Sequence, residues 1–201
     1  MGRVYTVNEI YLTIQGEGIN AGRVAVFVRF AGCNLWSGRE QDRAKAICQF
    51  CDTDFLHGDK YTVEDLVGKI KETAGECRFV VFTGGEPALQ LDNDLLGMLG
   101  FDYETAIETN GTLPSPAVDW ICVSPKAGTI LEQKTGDELK LVYPQDGCEP
   151  EDYEGLDFDH FLLSPMDGPY LAYHAEAAVN YCTTNPRWRL SLQTHKFIGV
   201  R

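Results

Sequence analysis

The feature that most restricts how this chain folds is a recurring unit, a short run of β-branched and aromatic residues that ends in a cluster of Gly, Pro, Asn or Ser. It occurs as "RVAVFVRFAG" from Arg23, "RFVVFTGGEP" from Arg78, "YETAIETNGT" from Tyr103 and "DWICVSPKAG" from Asp119. It recurs as "ELKLVYP" from Glu138 and "FDHFLLSPMDG" from Phe158. Helical patterns separate some of these runs. Thr62 to Ala74 opens on Thr62 as N-cap and carries Val63, Leu66, Val67 and Ile70 at helical spacing; Leu89 to Leu99 and Tyr170 to Cys182 also read as helices. Strands alternating with helices predict an α/β fold with a mostly parallel sheet. Polar residues gather where each strand ends, which is where barrels and open α/β sheets carry their chemistry. Connections such as Thr112 to Asp119 are too short for a full helix, so a partial, incomplete TIM-type barrel is expected. With 201 residues and no repeat or linker, residues 1–201 are expected to form a single domain.

A net charge of −13 argues against the phosphate-driven binding of nucleic acid. An anionic small molecule would need a local basic pocket. No run of eighteen apolar residues predicts a membrane span, and the N-terminus lacks the pattern of a signal peptide. A cytoplasmic location is therefore expected, where thiols stay reduced. The seven cysteines are read as free, metal-bound or catalytic.

Three of them stand together in "AGCNLWSGREQDRAKAICQFCDTDF", with fourteen residues between Cys33 and Cys48 and two between Cys48 and Cys51. Four readings compete. They could be buried small hydrophobes. Cys48 and Cys51 could form a redox pair, which leaves Cys33 idle. Structural zinc wants four ligands, and His57 would have to supply the fourth. An iron–sulfur cube takes one thiolate per iron, so three thiolates leave one iron open to chelate a cofactor. The remaining Cys77, Cys122, Cys148 and Cys182 have no partnered spacing and read as packing residues.

Three cysteines after the first strand of the repeating pattern, followed by "TGGEP" at the end of the next, resemble the radical S-adenosylmethionine (SAM) superfamily. The fourteen-residue spacing departs from its commonest three. Within the superfamily, "TIQGEGINAGRVAVFVRFAGCNLW", "CDTDF", "FTGGEP", "ETNGT", "SPK", "SPMDG" and "QTHKFIG" resemble, in order, the 7-carboxy-7-deazaguanine synthase family. That resemblance implies conversion of 6-carboxy-5,6,7,8-tetrahydropterin to 7-carboxy-7-deazaguanine with loss of ammonia. It implies a [4Fe–4S] cluster on Cys33, Cys48 and Cys51, SAM, and Mg²⁺ with Thr53 as ligand; by chemistry alone the carboxylate of Asp52 competes for the magnesium. Gly85, Glu86, Ser124, Pro125, Lys126, Ser164, Pro165, Met166 and Asp167 are expected to hold SAM, with Gly85 chosen so that backbone approaches the methionyl part. Lys126 could equally be a solvated loop lysine.

Ile14, Gln15, Gly16, Glu17, Arg29, Thr83, His195 and Arg201 are expected at the pterin, with Glu108 and Asn110 as further polar contacts. Gln15 to Gly18 could instead be an ordinary turn. Arg29 shares a strand face with Phe27, and a cation inside a barrel is costly without an anionic partner, either the substrate or a structural Glu. A homodimer and an electron donor such as flavodoxin are implied by the family. A glycyl-radical activating enzyme and a non-catalytic zinc module are the competing functions.

Overall fold

The computed structural model describes residues 2–200. The chain runs β1 (Tyr5–Ile14), β2 (Val24–Phe30), β3 (Asp59–Tyr61), α1 (Val63–Ala74), β4 (Phe79–Gly84), α2 (Asn93–Leu99), β5 (Glu104–Thr109) and β6 (Trp120–Val123). It continues through β7 (Thr135–Tyr143), β8 (Asp157–Pro165), α3 (Leu171–Thr184), β9 (Trp188–Leu190) and α4 (Thr194–Ile198). All nine strands form one sheet in the order β3-β1-β2-β4-β5-β6-β7-β8-β9. The β1–β2 and β1–β3 pairs are antiparallel, and every pair from β2 to β9 is parallel. The first and last strands do not pair, so the barrel is open, as the short connections predict. No helix among the described residues is long and apolar enough to cross a membrane.

The two-residue period of the strands sorts side chains between two faces. On the outer face Val26, Val28, Phe30, Val80, Phe82 and Ile107 pack with Leu66, Val67 and Ile70 of α1 and Leu95 and Leu99 of α2. Leu139, Leu141, Phe161 and Leu163 do the same with Ala178 of α3. On the inner face Ala25, Phe27, Phe79, Val81 and Ala106 close the floor beneath the early strands. Residues above that floor, and the inner face of β7, are left for chemistry.

Two local features differ from expectation. The helix expected over Leu89 to Leu99 starts later, because the Asp92 side chain accepts the Leu95 N–H at 3.0 Å and caps α2, while Pro87–Leu89 form a separate 3-10 turn. Strand β1, the longest in the fold, is not among the runs singled out above; its alternation is interrupted by a register shift between Val7 and Glu9. The segment between Cys33 and Cys48 folds as a 3-10 helix, Glu40–Lys45.

The segment joining β1 to β2 decides what the open barrel encloses. Gln15 to Gly22 turn inward as a plug, with the Gly18 N–H donating to Ser191 Oγ at 2.9 Å and the Ile19 N–H to Glu138 Oε2 at 2.8 Å. Gly18 has φ +71, and a Cβ there would lie 2.4 Å from Glu138 Oε1, so only glycine fits. The Thr194 N–H and hydroxyl both donate to the Gly16 carbonyl, at 2.9 and 2.8 Å. The plug thus ties the first strand to the last, across the gap that hydrogen-bonded sheet does not bridge.

Candidate active site

Two adjoining cavities of about 220 and 350 Å³ open at the carboxyl ends of the parallel strands. They share Glu17, Asp52, Thr53, Glu108 and Gln193 as lining residues, and the rest of their lining forms two walls of different chemistry.

One wall is built from the loop after β2. Cys33, Cys48 and Cys51 all line the smaller cavity. The long insert returns Cys48 to this wall by local contacts. The Ile47 N–H donates to Leu35 carbonyl at 3.1 Å, and the Arg43 guanidinium lies 4.2 Å over the Trp36 ring. That guanidinium also donates to the carbonyls of Gln49 (2.8 Å) and Cys51 (3.0 Å), bracing the turn that carries the last two thiols. Hydrogen bonding from Cys48 lowers the Cys51 thiol to about 6 and correspondingly raises Cys48. Among the described residues no three or more His, Cys, Asp or Glu side chains converge on a single-ion site. Three thiol donors on one wall are one short of the closed four of structural zinc, and are the number that leaves one iron of a cube open.

The tip after β4 locks onto this loop. The Gly85 N–H donates to Phe30 carbonyl at 3.1 Å and the Glu86 N–H to Gly32 carbonyl at 2.9 Å. A Cβ on Gly85 would stand 2.0 Å from the Gly32 oxygen. The glycine is therefore demanded by the approach of the thiol loop itself, a reason that does not depend on any ligand. Glu86, expected at SAM, does not line either cavity. It is fully buried and accepts from Thr109 Oγ1 (2.6 Å), the Asn110 N–H (2.8 Å) and the Ala88 N–H (2.9 Å), tying two strand tips together. Burial raises its pKa, which these donors oppose.

Ser124, Lys126, Ser164, Pro165 and Asp167 line the thiol-side cavity with Gly85, while Pro125 and Met166 do not. Lys126 is not a solvated loop residue. Its ammonium is held at Ser124 Oγ (2.7 Å), burial lowers its pKa, and its positive charge favours the thiolates of Cys48 and Cys51. Asp167 is joined to Lys196 of α4 at 2.5 Å, and Lys196 reaches Asp52 at 2.7 Å. Asp52 is thereby engaged by an ammonium, although it lines both cavities as Thr53 does.

The other wall is assembled from distant elements. Ile14, Gln15, Gly16, Glu17, Arg29, Thr83 and His195 all line the larger cavity. Arg201 lies outside the described residues. Arg29 has its counter-charge within the protein: Nε donates to Glu9 Oε1 at 2.8 Å and Nη2 to Tyr11 Oη at 2.8 Å. The cost of an unpaired cation therefore does not by itself demand a substrate anion here. Glu108 accepts from Gln15 Nε2 (2.8 Å) and Thr83 Oγ1 (3.3 Å). Asn110 lines the thiol-side cavity and donates to Asn34 Oδ1 at 3.0 Å.

Lys140, Gln193 and Cys122 also line the space, and none is singled out by the sequence. Lys140 Nζ lies 2.6 Å from Glu17 Oε2, and Gln193 Nε2 donates to Glu17 Oε1 at 3.0 Å. Burial alone would raise the Glu17 carboxyl, but Lys140 outweighs it and lowers the pKa to about 2. A signal for Lys140 does exist in "ELKLVYP". Leu139 and Leu141 claim the outer face, which leaves Glu138 and Lys140 on the inner one.

Comparison with known proteins places this geometry among relatives. The profile described as "Radical SAM superfamily" matches residues 42–131. A protein of Caulobacter vibrioides named 7-carboxy-7-deazaguanine synthase is 55 % identical, covering 98 % of this chain and 99 % of its own. One of the same name from Bordetella pertussis is also 55 % identical with the same coverage. The crystal structure of QueE from Escherichia coli superposes with a TM-score of 0.68 over 94 % of this chain and 93 % of that one, at 24 % identity, a likeness of fold.

Proposed function

The chain belongs to the 7-carboxy-7-deazaguanine synthase family of radical SAM enzymes, and on that premise we propose that it converts 6-carboxy-5,6,7,8-tetrahydropterin to 7-carboxy-7-deazaguanine with loss of ammonia. This is a carbon–nitrogen lyase reaction of 7-deazapurine (queuosine) biosynthesis. The observation that carries the reading is a pair of adjoining cavities with shared lining residues, one bordered by three thiols and the other carboxylate-rich.

Cys33, Cys48 and Cys51 are the ligands for a [4Fe–4S] cluster. Bound there, the cluster and SAM supply one-electron cleavage of a sulfonium and hence hydrogen-atom abstraction, chemistry that belongs to the cofactor. Gly85, Ser124, Lys126, Ser164, Pro165 and Asp167 border the space for SAM, and Lys126 adds a positive charge beside the thiolates. Glu86, Pro125 and Met166 serve by shaping the tips.

The pterin occupies the larger cavity, whose size and charged lining suit a small molecule and not a polypeptide loop. Its ring carries several N–H donors, which Glu17 and Glu108 accept. Its carboxylate then faces away from those acids, toward Arg29 and Thr53. Thr53 is the protein oxygen for Mg²⁺, which prefers hard ligands and keeps room for substrate oxygens. His195, Thr83 and Gln15 orient the ring, and the plug with α4 excludes water from below. One continuous sheet supports treating residues 1–201 as a single domain. We place the enzyme in the cytoplasm as a homodimer, reduced by a one-electron donor such as flavodoxin, as in its family.

The test is anaerobic incubation of reconstituted protein with SAM, reductant, Mg²⁺ and the carboxylated tetrahydropterin. The deazaguanine chromophore should accumulate without net loss of SAM, and chelating Mg²⁺ should slow turnover without bleaching the cluster. Cleavage of SAM with no deazaguanine formed would overturn the substrate assignment.

A further inference from the structure

The ammonium of Lys140 has no part in the roles above, although its side chain is only 8 % exposed. It rises from the inner face of β7, a strand hydrogen-bonded on both edges, to β6 and to β8. Its Nζ lies 2.6 Å from Glu17 Oε2 and 4.0 Å from Glu108 Oε1. Burying such a pair is a poor source of stability, because desolvating two charges offsets their attraction and an apolar pair of equal volume serves as well. What a buried pair does determine is geometry. Glu17 sits on the plug, a turn without regular structure, whereas Lys140 is anchored in the middle of the sheet. The strand residue therefore sets where the turn residue's carboxylate points.

The same wall has a surplus of acid. Glu17 from the plug, Glu108 from β5 and Glu138 from β7 face a single ammonium, with the Cys122 thiol of β6 beside them. Glu138 is taken up by the Ile19 N–H. Glu17 and Glu108 border the open space, and each carboxylate accepts about four hydrogen bonds. Glu17 makes contacts to Lys140 and Gln193, and Glu108 to Gln15, Thr83 and Lys140, so both retain accepting capacity toward the cavity. Two neighbouring acceptors with surplus negative charge match an edge of N–H donors, as an aminopyrimidinone ring presents.

We propose that Lys140 is a positioning residue for the substrate, holding Glu17 and Glu108 side by side as twin acceptors for the N–H donor edge of the pterin. The inference rests on the pterin reading above. It assigns discrimination between an amino and an oxo group on that ring edge to a residue that acts through the two acids.

The experiment compares the wild-type holoenzyme, loaded with SAM, with Lys140→Met. Two probes are used: 6-carboxypterin, which has the 2-amino group, and 6-carboxylumazine, which has oxygen in its place. Wild type should prefer the amino compound. In Lys140→Met the KM for the carboxytetrahydropterin should rise about 10- to 100-fold, as for loss of hydrogen bonds to charged groups. In that variant kcat should change far less than KM, and the preference between the two probes should collapse. The double variant Glu17→Gln/Lys140→Met leaves no unpaired ion at this pair, which guards folding, and should show the same collapse. An unchanged KM, or weaker binding of both probes with the preference intact, overturns the proposal. Failure of wild type to bind either probe strikes instead at the pterin reading on which it rests.

Discussion

The two walls of the cavity are made in opposite ways. The thiol wall comes from one continuous stretch, Cys33 to Cys51, and apart from the β4 tip that locks onto Gly32 its supports are mostly local: Ile47 to Leu35, Arg43 over Trp36, Arg43 to the carbonyls of Gln49 and Cys51. The acid wall joins Glu17 to Lys140 and Gln193, and Gln15 to Glu108, residues far apart in the chain. The thiol wall has soft ligands that a metal cluster completes. The acid wall contains an ion pair, Lys140 with Glu17, that is made before any ligand arrives. A local wall can tolerate change elsewhere in the fold, whereas a long-range wall registers any movement of the elements that build it.

That contrast can be broken most decisively at Cys48. Cys48→Ala is expected to abolish cluster assembly and SAM cleavage while the sheet survives, checked by iron and sulfide analysis beside circular dichroism. Full turnover in that variant would remove the second cysteine from the cluster. Next in size is Glu17→Ala, which strands the Lys140 ammonium in a buried wall and should cost about 3–5 kcal/mol in denaturant unfolding. Because the Glu17 pKa is lowered to about 2, its contribution is complete above the ordinary carboxyl range and is lost as the pH falls toward 2. The stability gap between wild type and Glu17→Ala should therefore stay constant from neutral pH to about 5 and shrink below about 4.5. A gap that persisted to pH 2 would show that Glu17 acts by packing.

A smaller effect is expected from Gly18→Ala, which forces a Cβ against Glu138 at a positive φ. It should destabilise by about 1–3 kcal/mol and raise the substrate KM, leaving iron content unchanged, since the plug belongs to the acid wall alone. Loss of iron together with stability would mean that the walls are not independent. The smallest effect belongs to Lys196→Ala. Its ion pairs with Asp52 and Asp167 span both walls, but all three side chains are more than one-third exposed. Stability should change by less than about 1 kcal/mol, measured by thermal unfolding at matched salt.

The legibility of the two walls follows the same division. Cys33, Cys48 and Cys51, and the strand tips with Gly85, Ser124 and Ser164, could be read because each lies in a short motif whose spacing has chemical meaning. Arg29 could be placed on the inner face by the two-residue period, but its partner Glu9 could not, because β1 pairs with β2 through a shifted register. Glu86 sits beside Gly85 in the same motif yet faces inward, because Thr109 and Asn110 of another strand tip offer it donors. Lys140 could be placed on the inner face by its leucine neighbours, but nothing near it or Gln193 in the chain says what they touch.

By itself the sequence determined an alternation of strand and helix, a parallel sheet too sparsely bridged by helices to close, and three thiols in one loop, since periodicity and short-range spacing are properties of neighbours along the chain. Only the tertiary structure decided that the Gln15–Gly22 turn enters the barrel, that Gly85 is small for the sake of the thiol loop, and that Lys140 stands between two acids. Those outcomes depend on which distant surfaces come within hydrogen-bonding and van der Waals range, and that distance is set by the packing of the whole sheet.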